Sequence, residues 1–406
     1  MVEEILNRED RRSCSLSQGE LERRWKAVRE RMAAKNISHL VVQSQQRFVG
    51  GYFRWFTDFA GQNYHITAVF PVDEDMTIIG HGAPAPAKPA TPPEWALRGV
   101  KERINTPAFP NVWWEDAWDA DKAVEVIKRN KPGTVGLVGL GNMSAALYEN
   151  VKKGLQGVNV VNATDLVDEV RMVKSEEEIK LHRAAAYMHE MSYEVAKKAI
   201  KPGRTVSEII EEIRHAQVLA GSEEQQVNIT FGRPGVTHYS QTSWGNTVVR
   251  RPFREGDVIN MLIESSAAGG YWYDLRRFVC IGKAPAAVEE AYALVKEARK
   301  ILAANLKPGV VPGVALKASD EFLKSKGCPP EERVAGHGQG LDLVERPVVR
   351  YEETAMLEPG MVISLHPTAK TKHASACIAD TYVIGNSGAV PLYANLLEDD
   401  ELAVVT

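Results

Sequence analysis

The chain has 406 residues, 44% hydrophobic and 25% charged, with a formal net charge of −4 and a pI near 6.3. That length is too great for one ordinary core, so the prior is two domains. The balance excludes a strongly basic nucleic-acid binder, and no apolar run approaches the roughly 18 residues of a membrane span. Cys14, Cys280, Cys328 and Cys377 are scattered and form no CxxC pair, which points away from a disulfide framework and fits a reducing cytoplasm. The N-terminus, MVEEILNREDRRSC, is charged and has no apolar core of a signal peptide, so the expected location is cytoplasmic.

A first helix is expected at SQGELERRWKAVRERMAAKN (17–36), opened by a Ser17/Glu20 capping box. Its Leu21, Trp25, Val28 and Met32 share one face. HLVVQS (39–44) and ITAVFPV (66–72) read as strands. APAPAKPATPPEW (83–95) reads as a loop, and DKAVEVIKRNKPGTVGLVG (121–139) as helix then strand. This alternation predicts an α/β domain over 1–168. The aromatic clusters GGYFRWFTDFAG (50–61) and VWWEDAW (112–118) suit core or dimer packing. VGLVGLGNM (135–143) has the wrong glycine order for a dinucleotide fingerprint.

A second unit, 169–406, opens with DEVRMVKSEEEIKLHRAAA and a Ser175/Glu178 capping box. It contains an internal echo. AIKPGRTVSEIIEEIRHAQVLAG (199–221) resembles NLKPGVVPGVALKASDEFLKSKG (305–327), and FREGDVINML (253–262) resembles MLEPGMVISLH (356–366). Two copies of this pattern predict a pseudo-twofold domain with a ligand site between its halves.

The chemistry-bearing residues lie in and around the second echo: Glu264 in NMLIESS, Asp274 in GGYWYDLRRF, His337 in AGHGQGL, Glu345 in VERP and His366 in ISLHP. On a strand, Asp274 and Arg276 share a face, while Arg277 points away. An unperturbed imidazole such as His238, in GVTHYSQ, can carry protons at neutral pH.

VKSEEEI, the KPG repeat, GY-x-x-D, GHG-x-GL and EPGMV, in that order over about 170–395, resemble the aminopeptidase P, prolidase and creatinase family. The resemblance implies an α/β (α+β) chain with a creatinase-like N-terminal domain and a pita-bread catalytic domain. Metal-dependent members of that family hold two metals with two Asp, one His and two Glu. Here the first Asp falls at or near Glu264, with a spacing to Asp274 one residue shorter than usual. The second is Asp274 and the His is His337. The Glu after EPGMV is His366, the last Glu, before Asp-Thr, is Ala379, and the family's second His is Val344.

A missing bridge disfavours two cations a few Å apart. Asp274, His337 and His366 fall where the resemblance puts ligands of one metal, and two imidazoles with one carboxylate suit iron, zinc or manganese. Glu264 is then a fourth ligand or a base. The metal-free alternative follows creatinase, with His337 and His366 as substrate hydrogen-bonders and His238 as general acid/base. Creatinase has a substrate-binding Glu where this chain has Arg276, so creatine is disfavoured and an anionic substrate expected. Tyr271 and Tyr273 are expected at the substrate, and Glu345 is expected to carry a proton or hold substrate.

The expected activity is hydrolysis of a C–N bond. A β-elimination lyase resembling the dimethylsulfoniopropionate lyase relative, iron-dependent oxygen chemistry and a non-catalytic binding module are the alternatives. Family members are commonly dimers with a neighbouring N-terminal domain over the cleft, which would bring Trp55 or Trp113 to a partner's site.

Overall fold

A computed structural model describes residues 16–44, 51–60, 64–84, 88–89, 97–109, 112, 116–234, 238–242, 248–392 and 401–406. The chain divides into two compact units, Asp10–Arg171 and Met172–Thr406.

In the first unit, α1 (Gln18–Ala34) leads into β1 (Ile37–Gln43), α2 (Tyr52–Thr57), β2 (Ile66–Pro71), β3 (Met76–His81), β4 (Lys88–Pro89) and β5 (Val100–Thr106). Then follow α3 (Asp116–Lys128), β6 (Thr134–Val138), α4 (Ala145–Gly154), β7 (Val160–Asn162) and α5 (Thr164–Arg171). Among the described residues the strands form one mixed sheet in the order β4-β5-β3-β2-β1-β6-β7. Val41, Val69, Ile79 and Leu137 from its strands pack on Ala123, Ile127, Leu147 and Val151 of α3 and α4.

The face of α1 read from the sequence is the buried one: Leu21, Trp25, Val28 and Met32 are all buried. Only half of the expected capping box forms there. Ser17 accepts from the Glu20 N–H, but the Glu20 carboxylate turns to Arg23 and Arg24. The first aromatic cluster is core: Phe53 and Phe56 are fully buried, and Trp55 packs edge-on against Phe56 under the Arg24 guanidinium. Trp113 and most of the 83–95 loop lie outside the described residues.

The second unit repeats one pattern. Its first half runs α6 (Glu176–Ala199), α7 (Val206–Leu219), β8 (Val227–Gly232), β9 (Tyr239–Thr242), β10 (Val258–Ser266) and β11 (Trp272–Ile281). The second half runs α8 (Ala286–Asn305), α9 (Pro312–Ser325), β12 (Gly336–Gly338), β13 (Glu345–Val348) and β14 (Val362–Leu365). It continues through a small hairpin, β15 (Thr368–Lys370) and β16 (Ser375–Cys377), to β17 (Asp380–Gly385), β18 (Gly388–Pro391) and β19 (Ala403–Val405). Among the described residues the two main sheets are ordered β19-β11-β10-β8-β9 and β13-β12-β14-β17-β18.

The echo is structural down to single hydrogen bonds. The KPG glycines, Gly203 and Gly309, both take left-handed φ (88° and 77°), which a side chain would resist. Gly203 N–H donates to Phe253 O and Gly309 N–H to Leu357 O, at the turns preceding β10 and β14. Gly256 N–H donates to Ile281 O, and Gly360 N–H to Ile384 O. Apolar residues on one face of β10 and β11 (Ile259, Met261, Ile263, Leu275, Val279) pack on α6 and α7. Ile363, Leu365, Tyr382 and Ile384 pack on Leu302 of α8 and on Ala315 and Leu316 of α9.

Candidate active site

Alternation along β10 and β11 leaves the opposite face polar. Glu264 and Asp274 are direct cross-strand partners, so two carboxylates face each other there. Both titrate above the ordinary carboxylate range. Burial is the first cause for each, and the Asp274 charge adds to the shift of Glu264. Asn228 Nδ2 donates to Glu264 Oε2 at 3.3 Å. Asp274 is almost wholly buried; its Oδ1 makes no hydrogen bond of ordinary geometry among the described residues, while the Ser364 and Gln339 side chains lie close enough to favour its charged form.

The second sheet brings the imidazoles. His337 sits in the middle of β12, between β13 and β14. The flanking glycines allow this packing: a Cβ at Gly336 would overlap the Ser364 carbonyl, and one at Gly338 the Arg346 carbonyl. His337 Nδ1 lies 3.0 Å from Gly338 O, a pure acceptor, so Nδ1 carries the hydrogen. In the neutral ring, Nε2 then presents a lone pair to Asp274 Oδ2, 3.4 Å away. Two acceptors facing each other need a proton or another cation between them.

The His366 ring lies 5.0 Å from that of His337, centroid to centroid. Burial first, and the neighbouring His337 next, lower its pKa to about 3, so it is a neutral imidazole. His337 is also shifted down, by burial.

Arg276 lies on the polar face, two residues beyond Asp274, and its Nε donates to Asn260 Oδ1 at 2.9 Å. Arg333, four residues before His337, is exposed, and its charge acts on Glu264, His337 and His366. Sequence reading missed Arg333, although it stands beside the glycine-flanked His337 in RVAGHGQG.

Other expected residues have partners of their own. Tyr271 and Tyr273 are both buried, with the Tyr271 hydroxyl on Glu178 Oε1 (3.0 Å) and the Tyr273 ring against His189. Tyr273 projects from the apolar face of β11, opposite to Asp274, so strand alternation turns it from substrate. Glu345 is held rather than free: Lys174 Nζ lies 2.8 Å from its Oε2, and the Asp342 N–H donates to Oε1.

His238 is exposed, one residue before the Phe231–Tyr239 pair. Glu264 pairs with Gln226 at the other end of β8, a separation on the order of 20 Å along the strand. The register of β8 and β9 does not bring His238 beside Asp274.

The donor set can be tested against a metal. The residues do not suit two cations, because Ala379 offers no carboxylate where the family resemblance puts a bridging one. One cation fits by chemistry: a buried carboxylate whose Oδ1 makes no ordinary hydrogen bond among the described residues, an imidazole lone pair turned to it, and a second neutral imidazole alongside. Among the described residues, no three His, Cys, Asp or Glu side chains already converge on one point that could hold an ion.

Residues 180–386 match metallopeptidase family M24, and residues 24–173 match the creatinase/prolidase N-terminal domain. The chain belongs to metallopeptidase family M24, within the aminopeptidase P, prolidase and creatinase group that the motifs indicated. It is 29% identical over 236 residues to the "Probable dipeptidase PepE" of Mycobacterium tuberculosis, a match spanning 58% of this chain but only 62% of that protein. It is 25% identical over 273 residues to the Xaa-Pro dipeptidase of Pyrococcus furiosus, covering 66% of this chain and 75% of that one. Among solved structures, the Xaa-Pro dipeptidase from Bacillus anthracis superposes with a TM-score of 0.75 at 17% identity, covering 95% of this chain and 100% of that one. This likeness confirms the creatinase-like and pita-bread folds expected from the sequence. No helix among the described residues is long and apolar enough to cross a membrane.

Proposed function

We propose that this chain is a hydrolase that cleaves a C–N, amide-type bond of a small, polar, anionic substrate at a site built for one divalent ion. The observation that carries this reading is the Asp274–His337 pair at 3.4 Å with the His366 ring beside it. Asp274, His337 and His366 would hold the ion. A divalent ion so held polarises a carbonyl oxygen or makes water a better nucleophile. Iron, zinc and manganese all suit two imidazoles and a carboxylate.

Glu264, across the strand from Asp274, holds and moves the proton at its Oε atoms. It takes the role the resemblance gives to His238, which stands too far along the strands. His238, farther along the sheet, is left to meet the distal part of a substrate. Arg276 and Arg333 give the site its preference for an anion. The family's peptidases make short peptides and acylated amino acids the first substrates to try. A cytoplasmic homodimer is part of the proposal, checked by light scattering and cell fractionation.

The test is amine release from a panel of dipeptides and N-acyl amino acids by protein purified without chelators. Glu264→Gln should lower kcat by roughly a hundredfold or more on any substrate found. His366→Ala should lose the metal measured by elemental analysis. Undiminished kcat in Glu264→Gln removes the proton role, and unchanged metal content in His366→Ala removes the ligand role.

A second reading is a metal-free hydrolase in which His337 and His366 bind substrate directly. The lack of a pre-converged donor trio among the described residues favours it. Hydrolysis that persists after exhaustive chelation would establish it.

A further inference from the structure

The hydrogen-bond echo allows residues of the two halves to be equated. Arg276 lies five residues before Ile281, and Ala379 five before Ile384, the two carbonyls that receive the repeated glycine N–H groups. The equivalent residues also face each other. Arg276 N–H donates to Ala379 O and Ala379 N–H to Arg276 O, both at 3.2 Å, in an isolated antiparallel bridge between the halves. One side of this bridge offers a guanidinium and the other a methyl group.

The surroundings of Arg276 are equally asymmetric. Its cross-strand partner is Leu262, six residues after Gly256, just as His366 is six residues after Gly360. Where one half places an imidazole, the other places an alkyl chain beneath a fixed cation. The guanidinium is steered by Nε on Asn260, and no hydrogen bond of its two Nη groups is found among the described residues. Its charge favours the Glu264 carboxylate and disfavours protonation of His366.

We propose that the Arg276 guanidinium stands in for a second cation. It supplies permanent positive charge on the side of the site without imidazoles and restricts the chain to one divalent ion. This inference rests on the one-ion reading above. A guanidinium stays protonated throughout the physiological range and has no lone pair, so it repels a metal ion and ligates none. A unit charge several Å from a divalent ion, at the effective dielectric of a protein interior, weakens binding by roughly a hundredfold or more. What a guanidinium receives instead is an oxyanion on parallel N–H donors, so a substrate carboxylate belongs at the Nη groups.

The test counts Mn²⁺ per chain, by elemental analysis after dialysis, in the full-length protein and two variants. Ala379→Glu restores a carboxylate that Arg276 neutralises, so it should bind no more Mn²⁺ than wild type. Arg276→Thr with Ala379→Glu should bind one equivalent more. A gain in Ala379→Glu alone overturns the proposal, as does a double variant that melts like wild type and gains nothing. Should the double variant fail to fold, Arg276→Gln decides by calorimetric titration with Mn²⁺. Binding at least about tenfold tighter than wild type is expected, and unchanged binding overturns the proposal. A wild-type count of zero counts against the one-ion reading, whereas the difference between variants and wild type still tests Arg276.

Discussion

The two halves of Met172–Thr406 share turns, register and glycines, yet they offer different chemistry. Thr230 pairs with Asn260, four residues after Gly256, and His337 pairs with Ser364, four after Gly360. The first half thus has Thr230 and Leu262 where the second has His337 and His366. It has Arg276 where the second has Ala379. Backbone hydrogen bonds constrain the repeat, because an unpaired buried N–H costs stability wherever it occurs. Side chains on the polar face escape that constraint and have diverged. The difference teaches that the scaffold is symmetric and the site is not.

The sharpest way to break the comparison is at the junction. Asp380 of the second half lies between two buried arginines: Arg277 of the first half, 2.6 Å from Oδ1, and Arg299 of α8. Asp380→Ala would leave both guanidinium groups buried without this carboxylate. It should cost roughly 3–5 kcal/mol, read from urea unfolding followed by fluorescence. A loss under about 1 kcal/mol would mean that the halves do not depend on this cluster.

The first helices of the two halves bury different groups, and pH should separate α6 from α8. In the first half, His189 of α6 is fully buried, with Nδ1–H on Ala185 O (2.8 Å) and Nε2 accepting from Ser265 N–H (3.2 Å). Both ring nitrogens are satisfied only in the neutral tautomer. Burial lowers the pKa from 6.5 to about 4. The unfolded state therefore binds the proton first as pH falls, so stability declines below pH 6.5 until the folded pKa is reached. The slope for this group approaches about 1.4 kcal/mol per pH unit. Wild type should lose more stability than His189→Gln between pH 7 and 5, and parallel losses would refute the assignment. In α8 the buried cation is Arg299, which does not titrate in this range.

Where the halves agree, equal mutations should cost the same. Gly203→Ala and Gly309→Ala place a methyl group in open space, with no atom within 4 Å in either case. The cost is then the left-handed backbone alone, about 1–2 kcal/mol at each position. Unfolding free energies that differ by more than about 1 kcal/mol would show that the turns are not equivalent.

Much of this was legible in the sequence because the signals were local. The KPG echo, the helix face of Leu21 to Met32 and the glycines around His337 each report a constraint within a few residues. The family motifs pointed correctly to the fold. What no local signal carried is long-range. Tyr271 and Tyr273 stand beside Asp274 in sequence, but Tyr273 projects into the core against His189, and Tyr271 is drawn to Glu178, 93 residues away. Glu345 is captured by Lys174, 171 residues away, which no spacing could reveal. His238 was placed by motif, whereas its distance from Glu264 depends on ladder register.

The smallest expected effect sharpens the comparison at the helix starts. Both helices of the first half begin with a hydroxyl residue and a glutamate three positions later. Ser175 and Glu178 form a full capping box, and Thr205 N–H and Oγ1–H both donate to Glu208 Oε2. In the second half, Pro285 and Val311 precede α8 and α9 with no side-chain cap. Its helix starts therefore depend more on packing than on local hydrogen bonds. Ser175→Ala removes the oxygen that accepts from Glu178 N–H (3.3 Å), while the Tyr271 hydroxyl can stay on Glu178. The loss should be about 1 kcal/mol. Pro285→Ser offers the second half a cap it lacks and should gain a few tenths of a kcal/mol. If thermal melts show Ser175→Ala neutral, the cap contributes nothing, and tertiary packing alone starts the helices in both halves.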